Sequence, residues 1–136
     1  MKINKELTIS DKQGNSFVAY LNGKTNQGVA TILLNAKELD LEELSGNDFF
    51  ECLTKLRQIL ESKDLYVLCQ GSVRNVYPSR MSSQMSGGLK AYILKLGMQA
   101  SLTDLVNIFD SALIGEVATV NEQKIFYKKW IESLNK

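Results

Sequence analysis

The chain has 136 residues, 44% of them hydrophobic, which is enough for one domain (1–136) with a core that needs neither metal nor disulfide. Sixteen lysines and arginines stand against fifteen aspartates and glutamates, so bulk charge gives no reason to expect nucleic acid or a membrane surface as a partner. There is no histidine, which removes Ser-His-Asp and Cys-His nucleophiles and histidine metal ligands together, and two cysteines are too few for a thiolate zinc site. Cys52 and Cys69 lie in apolar runs, DFFECLTKL and LYVLCQG, and read as small buried thiols. The first residues, MKINKELTISDK, are polar and charged rather than a secretory leader. No apolar stretch approaches the roughly 20 residues that span a bilayer. The expectation is a cytoplasmic protein with no cofactor and no metal.

In chain order, residues 3–9 and 16–22 alternate imperfectly and are rich in strand formers, with DKQGN between them as a turn, so a hairpin is expected. A second turn cluster at 22–28 precedes VATILLN, a nearly continuous apolar run expected to be buried on both faces. Residues 36–48, AKELDLEELSGND, are the most acidic part of the chain. Asp48 and Glu51 then make a capping pattern ahead of a helix whose Phe49, Leu53, Leu56 and Leu60 recur at helical spacing. Residues 65–69 read as a short strand in the centre of a sheet, and 89–96 as a further strand closed by Gly97. Ser101 and Asp104 cap a predicted short helix carrying Leu102, Leu105, Val106 and Phe109. Thr119 and Glu122 cap a last helix, whose Phe126, Tyr127, Trp130, Ile131 and Leu134 are expected to face the core. The pattern predicts an α+β domain: a mostly antiparallel sheet of about five strands with three helices packed on it.

Two stretches stand out as candidate sites. Residues 69–92, CQGSVRNVYPSRMSSQMSGGLKAY, hold the only proline and a dense set of polar groups: Arg74, Asn75, Tyr77, Ser79, Arg80 and Gln84. Two guanidinium forks in one loop suit carboxylate or phosphate, although neither nucleotide-binding glycine pattern is present. Pro78 can open a single helical turn at RMSSQM that presents these polar groups. The plain alternative is a surface excursion in which Tyr77, Met81 and Met85, spaced i, i+4, i+8, tuck inward and the arginines are solvated or pair with the acidic segment. The second stretch is acidic: Glu38, Asp40, Glu42 and Glu43, with only Lys37 opposing them. Such a cluster is most often solvated, but it also makes a docking patch for a basic partner. Catalytic carboxylates would need a pair held across a cleft, which spacing does not show. Lys124, Lys128 and Lys129 fall beside the aromatic stripe of the last helix and outside its expected core face.

From residue 65 onward, the strand ending G-x-x-R-N-V-Y-P-S-x-M, the G-G-x-x-A-Y strand, L-T-D-L-V-x-I-F-D and the closing T-V-x-E-Q-x-x-F-Y-x-x-W-I-x-S-L resemble small bacterial immunity proteins of contact-dependent growth inhibition and other polymorphic toxin systems. The resemblance implies a non-enzymatic cytoplasmic protein that binds the toxin domain of its own system and covers its active site or a neighbouring surface. Such toxins are mostly nucleases with basic substrate grooves, which the acidic stretch would suit. The near-neutral net charge departs from the strongly acidic balance of some immunity proteins. The resemblance carries no contact residues across. The alternative from the residues themselves is a small anionic-ligand-binding protein or enzyme using the Arg74/Arg80 loop. The expected partner is a protein, with no direct nucleic acid and no membrane; oligomeric state stays open.

Overall fold

A computed structural model describes residues 1–79 and 86–135. The first half is a meander. Strand β1 (Lys2–Ser10) and strand β2 (Ser16–Asn26) form a hairpin in register from Lys2↔Lys24 to Ser10↔Ser16. Asp11 closes its turn by accepting from the backbone N–H groups of Gln13 and Asn15, each at 2.9 Å. β2 runs further than the turn cluster at 22–28 suggests. The reversal into β3 (Val29–Asn35) is made by Gln27 and Gly28 alone, both at positive φ (51° and 79°), the two-residue turn whose twist matches its strands. β4 (Leu44–Gly46) pairs on the far side of β3, and β5 (Tyr66–Val67) on the far side of β1, giving the order β4-β3-β2-β1-β5 in an antiparallel five-stranded sheet.

One face of this sheet is the core. Leu7, Ile9, Ala19, Leu21, Ala30, Ile32 and Leu34 point the same way and are buried. Helix α1 (Phe49–Glu61) lies over them with Phe49, Cys52, Leu53, Leu56 and Leu60 inward. Each such side chain contributes about 1.5–3 kcal/mol relative to exposure. Gly23 makes room for this layer, since a Cβ there would meet the Phe49 ring at 3.1 Å. The α1 start follows the sequence: Asp48 Oδ1 accepts from Glu51 N at 2.8 Å, while Glu51 reaches back to Asn47 N at 3.2 Å. Asp64, at φ 58°, ends the helical run and lets Leu65 N donate to Leu60 O at 2.9 Å. The short edge strand β4 is closed off by Lys55, whose Nζ donates to Ser45 O at 2.6 Å.

The other face of the sheet has no layer on it among the described residues. VATILLN is therefore buried on one side only: Ala30, Ile32 and Leu34 are inside, Thr31 and Leu33 are half-buried, and Val29 is exposed. Residues 65–69 also depart from expectation, because β5 is two residues long and sits at an edge. Cys69 lies beyond β5, fully buried in the core cluster with its Sγ 3.5 Å from Ser72 Oγ.

The second half builds a smaller sheet, β6 (Val76–Tyr77), β7 (Lys90–Ile93) and β8 (Leu105–Asn107), in the order β6-β7-β8. The helix expected over 102–109 is absent. A 3-10 turn at Leu102–Asp104 gives way to β8, whose Val106 pairs with Ala91. The final helix α2 (Val120–Ser133) has the full reciprocal cap of Thr119 and Glu122. Two α-helices, not three, are thus found among the described residues, and the fold is a mixed α and β one around an antiparallel five-stranded sheet. The face of α2 expected in the core is mostly half-buried, Ile131 is exposed, and only Val120 and Gln123 are fully inside. The single helical turn expected in RMSSQM, with Met81 and Met85, lies outside the described residues.

Candidate partner-binding surfaces

The start of the polar loop is fixed by two buried side chains that the sequence reading passed over. Arg57 is 3% exposed; it donates to Gly71 O (3.2 Å), Ala118 O (2.9 Å) and Gln123 Oε1 (2.6 Å). Gln123, 2% exposed, spends its amide on Gly71 O, Val73 O and Val76 O at 2.8–3.0 Å. The backbone carbonyls of Gly71, Val73 and Val76 are thereby bonded from α1 and α2. Burial lowers the Arg57 pKa, with opposing help from nearby groups that include Glu61. A signal was present: Arg57 falls four residues after Leu53 and three before Leu60, on the inward face, and Gln123 stands in line with Val120 and Tyr127. Gly71 is required at this crossing, because a Cβ would come within 2.4 Å of Leu53 Cδ2 and 3.0 Å of Ile108 Cβ.

This anchoring gives the predicted loop residues structural partners. Tyr77 is half-buried, stacked on Tyr127 at 4.2 Å between centroids and edge-on to Phe50 at 5.3 Å; Tyr127 continues the row to Trp130 at 6.0 Å. Burial raises the Tyr77 pKa, with Tyr127 adding to the effect and Arg57 opposing it. Trp130 itself is half-buried, its Nε1 donating to Met98 O at 2.9 Å. Asn75 Nδ2 donates to Leu94 O at 3.1 Å, holding the loop to the end of β7. Arg74 is exposed, with its guanidinium 6.0 Å from the centre of the Phe126 ring. Ser79 is half-buried. Arg80 and Gln84 lie outside the described residues.

The acidic stretch is differently placed. Ala36 and Leu39 form a tight bridge after β3, and Leu39 and Leu41 pack against the core, so the segment 36–43 is tacked down at its apolar residues. Glu38, Asp40, Glu42 and Glu43 are left exposed, and none forms an ion pair among the described residues. Glu38 and Asp40, with Lys37, line an open concavity of about 640 Å³ whose floor includes Val18 and Tyr20 on the uncovered sheet face. Glu43 lines a second, smaller one with Lys2 and Lys24. Val18 and Tyr20 were legible as apolar residues out of phase with Ala19 and Leu21, but the sequence reading did not single them out. The two candidate sets are held by different elements, the acidic one by the β3–β4 connection and the basic one by α1 and α2.

No group of three or more metal-ligating side chains occurs among the described residues. No helix among them is long and apolar enough to cross a membrane. No protein-family model matches this chain, and neither does any curated protein.

Proposed function

We propose that the protein is a non-enzymatic immunity protein that binds and neutralises a cognate toxin domain, a nuclease, in the cytoplasm. The observation that carries this reading is the rigidly tethered segment 36–43. It presents four exposed carboxylates, unpaired among the described residues, two of them lining an open concavity with Val18 and Tyr20 of the uncovered sheet face. Carboxylates held this way complement a basic groove, steering association and fixing orientation. Among the described candidate residues of the loop, Arg74 is the exposed one and serves as a surface contact in this reading. Tyr77 and Asn75 act mainly by shaping the loop.

The test is affinity for the C-terminal domain of any large secreted protein encoded by the adjacent open reading frame. Replacing Glu38, Asp40, Glu42 and Glu43 together by their amides is expected to weaken binding more than about tenfold while leaving the melting temperature within about 2 °C, because all four are solvated. Unchanged affinity in that variant would remove the acidic segment from the interface. Failure of the unaltered protein to bind or protect against the toxin would remove the reading itself.

A further inference from the structure

The uncovered sheet face carries a feature the acidic segment alone does not explain. Tyr20 is 57% exposed and Val18 47% exposed at the floor of the larger concavity, and the Tyr20 ring meets no other ring among the described residues. Tyr20 sits opposite Glu6 on β1 and opposite Asn35 on β3, and Glu38, Asp40 and Lys37 line the same hollow, leaving its lining with a net negative charge. An aromatic face open to solvent, in a hollow lined by two carboxylates and one lysine with Glu6 across the strand pair, has the chemistry of a cation seat. The ring attracts a cation through its quadrupole, and the carboxylates supply opposite charge and hydrogen-bond acceptors. A guanidinium suits both demands better than an ammonium, since it stacks flat and forks toward carboxylate oxygens. An anionic ligand would face repulsion there.

Resting on the function proposed above, we propose that this hollow is where the partner anchors, and that it takes an arginine side chain from an extended basic segment of that partner, the guanidinium lying over Tyr20 and facing Glu38 and Asp40. Since Tyr20 is 57% exposed and outside the buried core cluster, its replacement tests recognition more than folding.

The experiment titrates the isotopically labelled full chain with a capped hexa-arginine peptide, following backbone amide resonances. Saturable shifts centred on residues 18–20 and 36–41 are expected. Tyr20→Ala and the pair Glu38→Gln with Asp40→Asn should each raise the dissociation constant at least about fivefold, and Tyr20→Phe should stay within about twofold because the ring face is kept. Shifts that follow every exposed carboxylate without saturating, or a Tyr20→Ala protein that binds like the unaltered one, would overturn the seat. So would concentration-dependent self-association abolished by Tyr20→Ala, which would assign the face to a second copy. If the toxin domain is captured equally by the Tyr20→Ala protein, the arginine seat falls and the proposed function stands. If the peptide seats as expected but the toxin domain is not captured, the seat stands and the proposed function falls.

Discussion

Gln123 shows how much one side chain can hold. Its amide nitrogen is shared among three carbonyls of the 71–76 segment and its oxygen takes a guanidinium N–H of Arg57, so its loss removes four buried hydrogen bonds at once. Truncation by Gln123→Ala is expected to cost about 2–4 kcal/mol in urea unfolding, more than a surface substitution on α2 by several-fold. The cysteines make a second test at this scale. Burial pushes the Cys52 thiol up to about 11 and raises Cys69 as well, and both are free and enclosed, with Cys52 Sγ donating to Ala30 O at 3.3 Å. At about pH 8 the folded protein should give almost no reaction with a thiol-specific disulfide reagent, and two equivalents once unfolded. Rapid labelling of the native chain would contradict the burial described.

At the scale of elements, the reciprocal cap of α2 has a pH dependence whose sign follows from its bonds. The Thr119 backbone N–H donates to the Glu122 carboxylate at 2.9 Å, and this with the Thr119 side-chain interaction holds Glu122 below its ordinary carboxyl range. A group depressed in the folded state contributes stability above its unfolded value, near 4.5, and that contribution is lost as pH falls through the folded value. Thermal unfolding followed by helical circular dichroism should therefore show a drop between about pH 5 and about pH 3 that shrinks in Glu122→Gln, while Thr119→Ala should cost about 1 kcal/mol at neutral pH. Local chemistry of this kind was legible in the sequence. Both hairpin strands, the start of α1 and the α2 cap follow from turn residues, period and capping oxygens. The helix expected over 102–109 failed for a readable reason: Asn107 Oδ1 accepts from Phe109 N at 2.9 Å, a side-chain bond that competes with helical continuation, and pairing of Leu105, Val106 and Asn107 with β7 offers the backbone another partner. Elements whose place depends on distant chain were less visible. Apolar runs 65–69 and 29–35 announce burial but not whether it comes from neighbouring strands, a helix or a crossing loop. Of the candidate site, the exposed carboxylates were found by composition alone, whereas Val18 and Tyr20 matter only once the second face of the sheet is known to lie open.

For the whole molecule, near-zero net charge and a locally acidic surface make different demands on solution conditions. Recognition through exposed carboxylates is screened over about 8–10 Å at moderate ionic strength, so affinity for a basic partner should fall at least about tenfold between roughly 50 mM and 500 mM salt, chiefly through slower association. A salt-independent association rate would shift the interface toward the half-buried aromatic row of Tyr77, Tyr127 and Trp130.

The Arg57–Gln123 bond joins positions 66 residues apart, and the carbonyl of Ala118 completes the guanidinium's surroundings. During synthesis the first hairpins can close on their own, but the positive charge on α1 has no acceptable home in the interior until Ala118 and Gln123 have left the ribosome. The core should therefore close only once α2 has emerged, and a nascent chain stalled before α2 should remain open to proteases that a chain carrying α2 resists.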